Sequence, residues 1–137
     1  MPYELIDHTA DIGIAVTASS VGELFETAAH AMFEQIADTR ALTGWRRTRL
    51  TVSGIDREDL MINWLRELLF LWNGRQYLLK QARIENMANT ELTARIWYDP
   101  FDRQTHEILN DIKAVTYHGI RVEKTDAGWT ATVIFDV

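Results

Sequence analysis

With 137 residues, 47% of them hydrophobic and 25% charged, the chain has the composition of one globular domain spanning 1–137. It contains no cysteine, which excludes a disulfide scaffold, a thiolate metal site and a cysteine nucleophile together. A net charge of −6 is the wrong sign for a domain that grips nucleic acid tightly through its phosphates; it suits cations or a basic protein surface.

The opening residues, MPYELIDHTAD, have neither a basic nor an apolar leader region. The longest apolar stretch, LMINWLRELLFLW, contains Arg66 and Glu67 and falls short of the roughly 20 residues needed to span a bilayer. The expectation is a soluble, cytoplasmic protein with no membrane segment.

In chain order, residues 3–6 and 12–17 read as strands, the second with Ile12, Ile14 and Val16 on one face. Asp7, His8, Thr9 and Asp11 crowd the connection between them. Ser20 and Glu23 have the spacing of a capping box and open a helix. Leu24, Ala28, Met32 and Ile36 recur along it every fourth residue beside Phe25, Ala29 and Phe33, which predicts one buried face. The alternation of Leu50 and Val52 in TRLTVSG predicts a strand.

Asp56 then caps a second helix, expected to run to about Asn73 and to stop at Gly74. Leu60, Met61, Trp64, Leu65, Leu68, Leu69, Leu71 and Trp72 nearly encircle it, leaving Asn63, Arg66, Glu67 and Arg75 as a polar edge. That helix reads as core, part of whose circumference can also serve as a protein-binding face. Strands follow around 77–85 and 91–98, then a loop at Pro100, then IKAVTYH, IRVEK and WTATVIFDV, the last two joined by a turn at TDAG. Strands and helices mix without strict alternation. The class is therefore α+β, a mixed or antiparallel β-sheet with two main α-helices packed on it.

The last strand ends in Asp136 and Val137. Asp11, Asp136 and the Val137 carboxylate together offer oxygen ligands for a hard cation, Ca²⁺ or Mg²⁺ rather than Zn²⁺. The bland alternative is a solvated terminal acid and a turn-forming Asp11. In IKAVTYHGI, Lys113, Thr116, Tyr117 and His118 interrupt a strand-like run. Lys113 pairs with a carboxylate of the cluster, presents its ammonium to a phosphate or a partner's acid, or stands as a strand-edge charge.

His8, His30, His106 and His118 form no recognisable catalytic pattern. His106 and Glu107 lack the second histidine of a zinc-protease helix, and HTA and HGI do not supply the paired elements of a two-histidine phosphoesterase. There is no nucleophile elbow or phosphate-binding loop either. His30, mid-helix, faces solvent or caps a core edge. The basic run WRRTR, with Arg46, Arg47 and Arg49 beside Trp45, can touch RNA by phosphate contact and stacking, but reads more simply as a solvated loop leading into a strand.

Taken together, DHTADIGI, IKAVTYHGI and the terminal VIFDV resemble, in order and spacing, the three hallmark segments of the archease family over essentially the whole chain. The resemblance implies a compact α+β domain with no enzymatic activity of its own. It implies action on the RtcB-type tRNA-splicing RNA ligase, which joins ends bearing a 2′,3′-cyclic phosphate or 3′-phosphate to a 5′-hydroxyl after guanylylating its own histidine with GTP. The family promotes that activation, supports multiple turnover and broadens the nucleotides accepted.

The resemblance also implies a metal site at Asp11, Asp136 and Val137, with Ca²⁺ favoured over Mg²⁺ or Mn²⁺, and a motif lysine at Lys113. The ligase is the expected partner, with no tight nucleic-acid binding and a monomer or weak homo-oligomer. Two other readings remain at this stage. One is a metal-dependent phosphoesterase using Asp11, Asp136 and His8; the other is a chaperone-like modulator of tRNA methylation.

Overall fold

The computed structural model describes residues 3–8 and 11–137, with the side chains of residues 6–8 outside the description. The expectations placed on Thr9 and on the side chains of Asp7 and His8 therefore lie outside the described residues.

Helix α1 (Val21–Ile36) begins where the sequence predicts: the Ser20 side chain accepts from the Glu23 amide at 3.2 Å. The capping box does not close reciprocally, because the Glu23 carboxylate accepts instead from the Ser19 hydroxyl at 2.8 Å. The fourfold stripe of Leu24, Ala28, Met32 and Ile36 is fully buried, with Phe25, Ala29 and Phe33 beside it. Each large apolar side chain so enclosed contributes about 1.5–3 kcal/mol.

Helix α2 (Arg57–Arg75) is capped by Asp56, which accepts from the Asp59 amide at 2.8 Å. Its burial matches the encircling pattern: Leu60, Met61, Trp64, Leu65 and Leu68 have no exposed surface. Trp64 donates its indole N–H to the Phe25 carbonyl at 2.9 Å, stitching the two helices together inside the core. The expected stop at Gly74 is displaced. The helix continues to Arg75, and Gln76 takes the left-handed conformation at φ 58°, its amide bonding to the Leu71 and Trp72 carbonyls. That hydrogen-bonded cap, with strand following at once, fixes the end independently of the glycine.

Among the described residues the strands are β1 (Tyr3–His8), β2 (Asp11–Ala18), β3 (Arg46–Ser53), β4 (Tyr77–Met87), β5 (Glu91–Pro100), β6 (Ala114–Thr125) and β7 (Gly128–Asp136). They form two antiparallel sheets, ordered β1-β2-β7-β6 and β3-β5-β4. The expected class holds, antiparallel strands with two helices packed on them, and each helix touches both sheets. Helix α1 packs on β2, β7 and β4, and α2 on β6, β3 and β4. Pro100 is the last residue of β5, paired with Tyr77, rather than part of the loop.

The segments IKAVTYH and IRVEK, expected as separate strands, are one strand, β6, broken in register rather than in direction. Thr116 faces Ile134 and Arg121 faces Thr132, so Tyr117–Ile120 bulge outward against Val133 alone. Gly119, at φ 66° with open space where a Cβ would lie, supplies the conformation that this excursion needs. The β6–β7 turn is tight, and Gly128 follows it at φ 139°. A Cβ there would come within 2.4 Å of the Ala18 carbonyl oxygen, so only glycine lets the hairpin lie against the end of β2.

Helix side chains also bond to strand backbone. The Ala82 and Ile84 amides of β4 donate to His30 Nε2 at 3.3 Å and to a Glu26 carboxylate oxygen at 2.7 Å. Arg66 donates to the Val115 carbonyl of β6 at 3.1 and 3.2 Å. His30 thus caps a core edge, one of the two roles its sequence position allowed.

Candidate functional site

Alternation along β2 and β7 decides which side chains meet. Ile14 and Val16 are buried, as are Ala131, Val133 and Phe135, so the residues between them lie on the other face. Asp11 stands directly opposite Asp136 in the β2–β7 ladder. Opposed residues of an antiparallel pair share a face with Cβ atoms about 4.5–5.5 Å apart, and like charges so placed destabilise the sheet unless something offsets them. Among the described residues no arginine, lysine or histidine lies within ion-pair distance of either carboxylate.

The neighbouring strands extend this row. The backbone of His8 on β1 is the register partner of Asp11, and Ala114 on β6 is that of Asp136. Lys113, one residue before β6, donates its amide to the Asp136 carbonyl at 2.8 Å. The structure therefore brings Asp11, Lys113, Asp136 and Val137 to one end of the first sheet. It joins Lys113 to Asp136 through backbone, not through an ion pair. Asp136 and Lys113 are exposed, Val137 is 42% exposed and Asp11 is half-buried.

As a donor set this end is all oxygen, which fits a hard cation and not a thiolate-seeking one. Among the described residues no three of His, Cys, Asp and Glu converge to close a coordination shell.

The rest of IKAVTYHGI has structural work. The Thr116 hydroxyl donates to the Ile134 carbonyl at 3.0 Å, and the His118 amide donates to the Thr116 hydroxyl at 3.3 Å. On the bulge, the half-exposed Tyr117 donates its hydroxyl to Asp59 at 2.6 Å, with the Arg66 guanidinium 4.8 Å from its ring centroid. That bond holds Asp59 below the usual carboxylate range and pushes the Tyr117 phenol up. Sequence reading missed Asp59 as the partner of Tyr117; its place in the first turn of a capped helix marked it only as a dipole-compensating acid.

His106 is likewise structural. Its Nδ1 accepts from the Asp102 amide at 2.9 Å, and its Nε2 lies 3.7 Å from the buried Asp99 carboxylate. Asp99 in turn accepts from the Thr43 and Gly44 amides at 3.0 and 2.5 Å. The WRRTR run is not a loop: Arg46 opens β3, where its guanidinium packs 5.4 Å from the ring centroids of both Tyr77 and Tyr98. No helix among the described residues is long and apolar enough to cross a membrane.

Comparison with known proteins agrees with this architecture along the whole chain. Residues 3–137 match the model of the Archease protein family (MTH1598/TM1083). The chain is 34% identical to "Protein archease" of Methanosarcina barkeri over 98% of its own length and 95% of that protein's. It is also 34% identical to "Protein archease" of Archaeoglobus fulgidus over the full length of both. The solution structure of Methanobacterium thermoautotrophicum protein 1598 is similar at a TM-score of 0.84 and 32% identity, covering 99% of each chain. A crystal structure of "an archease, possible chaperone" from Thermotoga maritima shares the fold at a TM-score of 0.64 and 21% identity, over 96% of this chain and 94% of that one. With its two antiparallel sheets, its buried helix pair and this full-length similarity, the chain belongs to the archease family.

Proposed function

We propose that the chain is a non-enzymatic protein cofactor of an RtcB-type RNA ligase, acting through the carboxylate end of its first sheet. The observation that carries the reading is the direct opposition of Asp11 and Asp136, two acids at opposite ends of the sequence with no compensating cation beside them among the described residues. Two like charges kept face to face cost stability. Their retention makes sense when the ligand is a cation that both bind.

Asp11, Asp136 and Val137 would hold a divalent ion, most simply Ca²⁺, with Mg²⁺ and Mn²⁺ sharing its preference for oxygen. Bound there, the ion supplies positive charge for anionic groups of the partner. The protein's own residues do the rest. The two carboxylates share one face of the sheet, the Lys113 backbone pins the end of β7, and the exposed Lys113 ammonium would face the partner as a cation of its own. A net charge of −6 favours approach to the basic cleft of an enzyme that holds RNA. There the acidic end would help arrange the ligase so that its histidine attacks GTP.

The test is ligase self-guanylylation with GTP in the presence of catalytic amounts of this protein, against Asp11→Ala, Lys113→Ala and Asp136→Ala. Acceleration by the wild type, with loss in each folded variant, supports the reading. Undiminished acceleration by Asp136→Ala ends it. Phosphate-ester turnover by the purified chain alone would instead support the phosphoesterase reading. A chaperone role would appear as protection of a partner from aggregation, independent of all three residues.

A further inference from the structure

The second sheet carries a basic face of its own. Along β5, Leu92, Ala94, Ile96 and Tyr98 are buried in the core, so Thr93, Arg95 and Trp97 alternate onto the opposite face, where they are half-buried. The register then sets Arg47, Trp97 and Gln81 side by side in one row across the sheet, and Arg49, Arg95 and Arg83 in the next. Strands lie about 4.8 Å apart, so each row spans about 10 Å.

Glu85, at the irregularity in β4, takes the charge of part of this set: it accepts from Arg49 Nε at 2.8 Å and lies 3.6 Å from Arg95. Among the described residues no carboxylate lies within ion-pair distance of Arg47 or Arg83, both exposed. The two rows with Glu85 therefore hold an excess of about three positive charges, tempered at the start of β5 by the exposed Glu91 on the same face, on a chain whose net charge is −6. Arginines on an edge strand discourage strand addition, and β3 is an edge. That accounts for Arg47 and Arg49, and for Arg83 on β4, the other edge. It does not account for Arg95 on the central strand, and three like charges opposed across a sheet destabilise it.

An indole lies among these cations. Trp97 shares the row of Arg47, and Trp45, 70% exposed, immediately precedes β3 with the Arg46 guanidinium 5.8 Å from its ring centroid. Gly44 of the loop before β3 borders Trp97 at one end of this face. An antiparallel face that offers guanidiniums beside a half-buried aromatic ring matches unpaired nucleotides: phosphates meet the guanidiniums and bases stack on the ring. We propose that the outer face of β3-β5-β4 binds single-stranded RNA through Arg47, Arg49, Arg83 and Arg95, with Trp97 as the stacking platform. The binding is local and salt-sensitive, because the rest of the chain repels a polyanion. It lies on a different sheet from Asp11 and Asp136, so either proposal stands or falls without the other.

The experiment is fluorescence anisotropy of a fluorescein-labelled single-stranded RNA titrated with the full chain at low and at physiological salt, beside Arg47→Glu/Arg83→Glu, Trp97→Leu and an RNA duplex. The expected result is binding that weakens steeply with salt and falls about ten-fold or more in the charge-reversed variant. A several-fold loss follows in Trp97→Leu, and the duplex binds more weakly than the single strand. Arg47→Gln/Arg83→Gln replaces the reversal if melting curves show that the reversed chain does not fold. Wild-type protein that fails to bind at low salt overturns the proposal, as does binding unchanged in the variants or equal for the duplex. Polyglutamate displacing the RNA as well as unlabelled RNA does would assign the face to an acidic protein and overturn it too.

Discussion

The Tyr117 hydroxyl, on the bulge of β6, donates to the carboxylate of Asp59 in the first turn of α2 at 2.6 Å. One bond thus ties the distorted strand that leads from Lys113 to the first turn of a helix whose apolar face is buried in the core. The Asp59 carboxylate also accepts from the Ile55 amide at 2.9 Å, so the helix entry, the loop before it and the bulge share one acceptor group.

Tyr117→Phe removes the largest cause of the depressed Asp59 pKa and leaves the weaker bonds from Ile55 and Asn63. The Asp59 carboxyl should then titrate at higher pH than in the wild type. Carbon-detected NMR titration of the side-chain carboxyl reads this directly. An unmoved Asp59 would mean that the bond is not formed in solution.

Opposed acids give a stability test that needs no partner. In chelator, Asp11→Asn removes the repulsion with Asp136 and should raise stability by about 0.5 kcal/mol. Added Ca²⁺ should raise the urea midpoint of the wild type and leave that of Asp11→Asn/Asp136→Asn unchanged, through preferential binding to the folded state. Equal shifts in both proteins would place the ion elsewhere.

Burial of His30, on α1 and packed against β4, lowers its pKa from 6.5 and favours the neutral imidazole. Protonation would also destroy the acceptor for the Ala82 amide. With the folded value depressed, the stabilisation is complete above about pH 6.5 and is lost as pH falls through the folded-state value. His30→Gln keeps an acceptor that does not titrate. Its urea midpoint should therefore fall less than that of the wild type between pH 7.5 and 5.5.

Asp99 is 3% exposed and holds the amides of Thr43 and Gly44. Asp99→Ala leaves those donors without their acceptor and should cost about 3 kcal/mol by urea denaturation. Accelerated amide exchange at Thr43 and Gly44 would locate the loss. A cost below about 0.5 kcal/mol would show that water replaces the carboxylate.

What the sequence made legible is what depends on local pattern. Ser20 and Asp56 cap where their side chains predict, and the stripe from Leu24 to Ile36 is buried along its length. The pairing of the two chain ends was also within reach, because Asp11 opens and Asp136 closes a strand legible in the sequence. Division of the strands into two sheets was not legible, since pairing partners are set by tertiary packing. Nor was the joining of IKAVTYH to IRVEK: a four-residue bulge around Gly119 has the composition of a turn. The second row of arginines depends on register as well. Arg49, Arg83 and Arg95 are scattered in sequence and meet only because β5 lies between β3 and β4.

The helix side chains bonded to β4 and β6 bear on how the protein behaves at high concentration. Both strands border their sheets, where free amides and carbonyls invite a foreign strand to add. On β4 the amides of Ala82 and Ile84 already donate to His30 and Glu26, and on β6 the Val115 carbonyl is taken by Arg66. A second molecule finds those hydrogen-bonding positions occupied, and on the opposite border, at β3, it meets Arg46, Arg47 and Arg49. The helices that fill the core thus also occupy edge positions on β4 and β6 that an added strand would need.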